Sequence, residues 1–434
     1  MSRMPHAPLP PPVSSQAIVG AVARLFDRGT RVVGWGTGSV FDYFHSHHPV
    51  RLDYLVDGDS RRWGSRRHGV EVLPPARLRQ EVPSRLLVIV YSGAWPEILA
   101  ALATFGDVVG VPASALFADT AARGRLRHAE AVAAAPRPAR APSPARAIVV
   151  QGPILPDMTP LVLRTLGALH PRELIVLSTW RKTEPALLAS LEGLYDELVL
   201  TDTPSTPGIQ NRNLQIVSTR AGIQAAMACG ARTIVKTRTD LAILGGHLFE
   251  RARWLRERTS GAAARRAGLH GQLVVPSTFT RKYLLYHPSD LVMLGAAEDL
   301  LRYWSAPLDP RGGSLLDQEW LDRSLADLAL AGNPAESYLG TEFCRAIGRP
   351  LPGTLRDSWS FYGDLLAVVD DAWFDLLWVK HLSSPDAAVR SGPRQTVSHA
   401  FWERLRHADP TLVEDLTAVD PRSVRLASLT GLAA

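Results

Sequence analysis

The stretch Ala231-Arg-Thr-Ile-Val-Lys-Thr-Arg-Thr-Asp-Leu241 decides how this chain is read. Thr233 to Val235 is β-branched and apolar, the make-up of a buried strand. It runs directly into Lys236, Arg238, Thr239 and Asp240. In open α/β sheets, ligands sit outside the carboxyl ends of the strands. Two cations and one carboxylate at such an end therefore point to a bound group. An acid beside basic residues suits a metal or ribose contact next to a phosphate site. The plainer alternative is a strand end capped by solvated charges.

Working outward, the residues on the amino side repeat the pattern. Ala147 to Pro153 reads as a strand and turn carrying Gln151 and Gly152, and Thr159 to Leu169 as a helix. Leu174 to Trp180 is a second strand ending in Ser178-Thr-Trp, followed by a helix over Leu187 to Leu194 and a strand over Glu197 to Leu200. A long helix, Asn211 to Cys229, opens with Asn211-Arg-Asn213-Leu-Gln215 and leads into the strand before Asp240. Each polar cluster lies at a strand's carboxyl end or a helix start, so on a parallel sheet all four converge on one crevice. Taken singly, each also fits an ordinary turn or an N-cap.

The first third of the chain alternates in the same way. A helix is expected over Gln16 to Asp27, after a Pro-rich and disordered start at 1–15. Arg31-Val-Val-Gly-Trp-Gly-Thr-Gly-Ser-Val40 is a strand entering a glycine-rich turn, with a helix from Phe41 to His45. Gly34 and Gly36 occupy two positions of a dinucleotide-binding turn, Ser39 stands at the third, and Gly38 falls one residue early. The strand Leu52 to Asp57 ends in an acid placed where a ribose-binding carboxylate would fall. Leu86 to Val90, a helix over Trp95 to Thr104 and a strand near Val108 to Val111 complete a small parallel unit. Gly34, Gly36, Gly38 and Asp57 are its candidate cofactor residues; a Rossmann-like unit that uses the turn only for packing is the alternative. Ala129 to Arg146, rich in Ala, Pro and Arg, reads as an extended linker. The expected organisation is thus a domain over 16–128, a linker over 129–146, a second α/β domain over 147–395 with an irregular aromatic lobe, and a helical tail over 396–434.

Composition bounds the function. A chain of 434 residues exceeds one ordinary core. No stretch approaches the ~18 to 20 apolar residues of a membrane-spanning helix. The cysteines, Cys229 and Cys344, match no metal spacing and suit a reducing compartment. The cytoplasm is therefore the expected location, with contact at the inner face of the cell membrane as a further expectation. The net charge of +6 comes almost wholly from arginine, since lysine occurs only at 182, 236, 282 and 380. No basic tract interleaved with aromatics, helix-turn-helix or zinc-finger spacing occurs, which argues against nucleic acid as a partner. Walker A and Gly-x-Ser-x-Gly signatures are absent too.

Gln-Gly-Pro, Ser-Thr-Trp, Asn-x-Asn-x-Gln and Lys-x-Arg-Thr-Asp, in this order and spacing, resemble the WavE lipopolysaccharide-synthesis family over roughly residues 146 to 345. The first third resembles small Rossmann-like domains attached to bacterial sugar-modifying enzymes, through its glycine turn, Val56-Asp-Gly-Asp59 and Gly69-Val-Glu-Val-Leu-Pro74. The WavE resemblance implies a GT-A-like α/β domain that transfers sugar from a nucleotide-sugar donor to a glycan or lipid-linked acceptor. By implication Gln151, Gly152 and Ser178 line the nucleotide pocket. Asn213, Lys236, Arg238 and Asp240 hold ribose, diphosphate and any Mg2+ or Mn2+, with Asp240 as the metal residue. The Asp-x-Asp pair of GT-A enzymes is missing: Arg238 stands at its first acid, so Arg238 or Lys236 could neutralise the leaving group instead.

Two later segments resemble further segments of that family and imply an acceptor-side base, the plainer readings being an N-cap for Asp290 and a helix-start acid for Glu336. Asp290, in Tyr286-His287-Pro-Ser-Asp290, precedes an apolar strand, and Glu336 lies in Asn333-Pro-Ala-Glu336-Ser-Tyr338. A carboxylate must take the acceptor's proton in an inverting transferase, and Asp290 is the first candidate. Two other readings are of different kinds: an NAD(P)- or S-adenosylmethionine-linked sugar-modifying enzyme using the first domain, and a non-catalytic scaffold of a glycan-assembly complex.

Overall fold

The two α/β patterns fold as two separate parallel-rich sheets. In the computed structural model, the residues described are 21, 23–25, 27, 29–47, 49–92, 94–117, 120–135, 143–259, 261–313, 317–379, 396–407, 412 and 420–425. The chain divides into two compact units at the Gly124–Arg125 boundary. The sequence expectations for residues 1–15, for most of Gln16 to Asp27 and for much of the tail, Leu416 included, lie outside the described residues.

The first unit contains β1 (Arg31–Trp35), β2 (Tyr54–Val56), β3 (Arg66–Arg67), β4 (Val70–Leu73), β5 (Leu86–Val90) and β6 (Val109–Pro112), in the order β3-β4-β2-β1-β5-β6. All neighbours are parallel except β3, which turns back on β4. β5 is buried along its whole length, as an apolar run covered on both faces must be. Phe41, Leu55 and Ile89 pack on one face of the sheet, Tyr54, Val88 and Leu102 on the other. The helix after the glycine turn runs from Ser39 to His47, longer than the sequence suggests.

The second unit contains β7 (Ser143–Gln151), β8 (Glu173–Trp180), β9 (Glu197–Thr201), β10 (Thr233–Arg238), β11 (Leu241–Ile243), β12 (Leu273–Pro276), β13 (Met293–Ala296), β14 (Leu366–Val369) and β15 (Leu376–Trp378). Seven strands form the sheet β14-β12-β13-β10-β7-β8-β9, while β11 and β15 make a small antiparallel pair. The sheet is parallel except for β13, which runs against both β10 and β12. The chain winds outward from β7 to β9, then returns to lay β10 on the other side of β7. That reversal makes the carboxyl ends of β7 and β10 the topological switch point, the place where open α/β sheets take their ligands.

Three local expectations are corrected. Ala129 to Arg146 is not extended throughout: a helix spans Thr120–Ala134 and β7 begins at Ser143. The alanines of 129–134 propagate the helix, their high propensity outweighing the nearby prolines. The helix expected over Leu187 to Leu194 is a single short segment, Pro185–Ala189. Most consequentially, β10 does not stop at Val235. Lys236 pairs with Met293 on one side and Val149 on the other, and Arg238 pairs with Gln151. Pairing on both edges holds Lys236 in the strand and pairing with β7 holds Arg238, and the two-residue period puts the two on the same face.

Candidate functional site

In the first unit the glycine turn and Asp57 meet, and they bind each other. The Asp57 carboxylate accepts from the Thr37 backbone N–H at 3.0 Å, from the Thr37 hydroxyl and from the Asp59 N–H at 2.9 Å. Arg62 adds an ion pair at 3.3 Å. Gly36 has φ +105°, and a β-carbon there would meet the Tyr91 carbonyl oxygen at 2.5 Å. A side chain at Gly34 would strike Leu55 and Tyr91. Gly38 has open space around it. Gly34 and Gly36 are thus required by packing, and Asp57 closes the turn from within.

In the second unit, the polar clusters of β7 and β10 meet at the switch point. The Thr239 N–H donates to the Gln151 carbonyl at 3.1 Å, and its hydroxyl donates to the Pro153 carbonyl at 2.7 Å. Gly152 has φ +128°, with Thr239 against the place where a side chain would go. Arg238 forks onto Asp240, Nε to Oδ1 at 2.8 Å and Nη2 to Oδ2 at 2.9 Å, and lies over the Trp378 ring at 5.6 Å. Asp240 is 5 % exposed in this pair and Arg238 22 %, so the cation is the partner that faces out. Asp240 is therefore a poor metal residue as it stands: both oxygens are engaged by a guanidinium. Among the described residues no group of three or more His, Cys, Asp or Glu side chains could hold a metal ion. Held this way, Asp240 does not fit a metal.

Behind Arg238, the same face of β10 meets the later segments. Lys236 is fully buried; its ammonium donates to the Asp290 backbone carbonyl and stands 4.6 Å from the centre of the Trp304 ring. Burial lowers its pKa to about 8, against the pull of Asp290. Its charge is turned inward, onto that carbonyl and ring. Asp290 is 4 % exposed, just ahead of β13. Glu336 sits in the first turn of the helix Ala335–Ala346, its Oε2 3.4 Å from His287 Nε2.

The His287–Glu336 contact is not an ion pair. Burial pushes the imidazole down to about 3 and the Glu336 carboxyl up to about 7, the latter helped by the charge of Asp290. His287 Nδ1 lies 3.0 Å from the Phe279 carbonyl, so it carries the ring proton and leaves Nε2 as an acceptor. A protonated Glu336 satisfies that acceptor; an ionised one faces its lone pair. Glu336 nonetheless keeps 19 % of its side chain exposed, more than Asp290 retains. The helix seats closely because residue 340, one turn on from Glu336, is glycine: a β-carbon there would overlap the carbonyl oxygen of Tyr286, next to His287.

The other candidates are brought near but are occupied by the fold. The Ser178 hydroxyl, fully buried, donates to the Ser218 carbonyl, and the Gln151 side-chain oxygen accepts from the Ser218 hydroxyl at 2.8 Å. Asn213 clamps the loop at Asp309: its amide donates to the Asp309 carbonyl at 2.7 Å and its oxygen accepts the Asp309 N–H at 2.8 Å. Its neighbour Arg212 was not singled out in the sequence. It is fully buried, paired with Asp309 at 3.3 Å, and bonds to the Ile209 and Gly332 carbonyls and to Asn333. Burial lowers its pKa to about 10. Trp304 and Trp378, the ring partners of Lys236 and Arg238, also escaped reading; only their place in an aromatic-rich segment hinted at a role.

A doubly wound α/β unit with charged side chains at its switch point belongs to the class that takes ligands at its strand ends. Within that class, residues 147–312 match the model of the family described as WavE lipopolysaccharide synthesis. Over that stretch the chain is similar to that family, the one its motifs resemble. The match includes Gln151, Asp240 and Asp290 and ends before Glu336, short of the 146 to 345 expected from the sequence. No curated protein matches the chain. Among the described residues no helix is long and apolar enough to cross a membrane.

Proposed function

We propose that the second unit is a glycosyltransferase of lipopolysaccharide or surface-polysaccharide synthesis that takes its sugar from a nucleotide-sugar donor. The observation that carries this reading is the outward-facing Arg238, fixed by Asp240 at the switch point and within electrostatic reach of Glu336, a carboxyl whose pKa is raised to about 7. The match to a lipopolysaccharide-synthesis family supplies the setting.

In this reading the nucleotide lies across Gly152 and the carboxyl ends of β7 and β10. Asp240 orients Arg238, whose guanidinium neutralises the leaving diphosphate. The acceptor is a glycan or lipid-linked hydroxyl. As its oxygen bonds to the sugar's anomeric carbon, the bond from that carbon to the diphosphate oxygen breaks and the electron pair leaves with the nucleotide. The hydroxyl proton passes to Glu336, whose pKa near neutrality suits a general base. Glu336 takes precedence over Asp290, which is more deeply buried and serves by raising Glu336.

The test is a thermal-shift screen of the full chain against UDP-, GDP-, CMP- and dTDP-sugars, with and without Mn2+. One donor class is expected to stabilise the wild type at ~100 times Kd by roughly 2.7 kcal/mol, and to lose that effect in Arg238→Ala. No response to any nucleotide-sugar, or an equal response from the variant, would sink the reading.

A further inference from the structure

A cavity of the second unit lies at the other end of its strands. About 600 Å³ in volume, it opens where β7, β10 and β12 begin, between Arg146, Thr233 and Gln272 and one face of the helix Leu248–Thr259. That is within the range of small-molecule sites. Phe249, Ala252 and Leu294 give it an apolar floor, and Arg146, Arg253, Arg256 and Arg265 surround it with Glu257 as the one acid of the lining.

The four arginines are not equally committed. Arg146 is held by Glu250 and lies 3.8 Å from Glu173, and Arg253 lies 3.9 Å from Glu257. Among the described residues Arg256 and Arg265 have no carboxylate partner. Arg256 is pinned instead by the loop: its Nη2 donates to the His270 carbonyl at 3.3 Å, and it packs so closely on Gly271 that a β-carbon there would meet Nη2 at 2.6 Å. An arginine held in place and lacking a counter-charge is pre-organised for an anion. Gln272 adds an independent sign. It is 3 % exposed; its amide donates to the Gly363 carbonyl at 2.8 Å, while its Oε1 has no partner. A buried acceptor left unpaired costs stability until a donor such as a hydroxyl reaches it.

We propose that this cavity binds a small phosphorylated, hydroxyl-bearing molecule, a sugar phosphate in chemical class, with its phosphate on Arg256 and Arg265 and a hydroxyl on Gln272. The site is separate from the switch point, since β10 places Thr233 at one end and Arg238 at the other.

Calorimetric titration of the full chain with glucose 1-phosphate, against sulfate at matched ionic strength, tests it. Saturable binding of glucose 1-phosphate is expected. It should weaken at least tenfold in Arg265→Glu, an exposed position where folding is not at stake, and in Arg256→Gln. Arg238→Ala should bind as the wild type does. Gln272→Leu should weaken glucose 1-phosphate but not inorganic pyrophosphate. Absence of saturation, indifference to the Arg265 and Arg256 changes, or loss in Arg238→Ala would each overturn the assignment. So would binding only to vesicles of anionic phospholipid.

Discussion

Asp57 and Asp240 invite comparison. Each is an acid near the carboxyl end of a parallel strand, beside a glycine turn, where a nucleotide-binding fold would use it. Asp57 is stitched to its own turn by two backbone N–H groups and a hydroxyl, with Arg62 as an exposed addition. Asp240 is held by a fork from Arg238, and that arginine has a face turned out. The first arrangement uses the donors that a phosphate would need. The second presents a cation that a phosphate can share. The same residue type at the same topological place is thus structural in one unit and a functional candidate in the other.

The widest separation between the two units is expected in activity. If the second unit's strand end is the working one, Glu336→Gln should lower sugar transfer on the order of 100-fold or more without loss of fold. Asp57→Asn should leave the transfer rate within experimental error. A transfer rate equal to wild type in Glu336→Gln would break the comparison. Next in size, Arg238→Ala should destabilise the second unit by roughly 2 to 4 kcal/mol in urea melts, because it removes a two-point charged fork from a buried carboxylate. Arg62→Ala should cost less than about 1 kcal/mol, because Asp57 keeps its backbone donors. Similar losses for the two would mean the acids are held alike.

A third prediction concerns pH. Lys236 has a folded pKa of about 8, below its ordinary value of 10.5. Between those values the unfolded chain holds the proton and the folded one does not, so stability should rise with pH over that window, by up to about 3 kcal/mol. Lys236→Met should remove the rise when melts are followed from pH 8 to 10.5. Asp57→Asn itself is expected to cost roughly 1 to 2 kcal/mol in the melting of the first unit, more than Arg62→Ala and less than Arg238→Ala.

The parallel sheets were legible because their strands are short β-branched runs punctuated by turn residues. Leu86 to Val90 and Ala147 to Gln151 could hardly fold otherwise. The extension of β10 was not legible, since Lys236 and Arg238 look like the end of a strand until their neighbours are known. Asp290 and Trp304 lie far along the chain, and they are what make a buried lysine tolerable. Ser178 and Asn213 were read as ligand groups because a polar residue at a strand or helix end looks the same whether a ligand or the chain satisfies it. The acids were visible as residue types. That Glu336 would be the more exposed, with its pKa raised beside His287, required the fold to bring residues 287, 290 and 336 together.

Gly340 makes the placement of Glu336 depend on an atom that is not there. The missing methyl group lets one helical turn rest on the backbone beside His287, and the carboxyl a turn earlier takes its position from that seat. A library of variants selected for activity should therefore keep glycine at 340 as strictly as it keeps the acid at 336, although the glycine carries no chemistry. Alanine, the mildest change on paper, would act there as a wedge, and its effect would be felt four residues away.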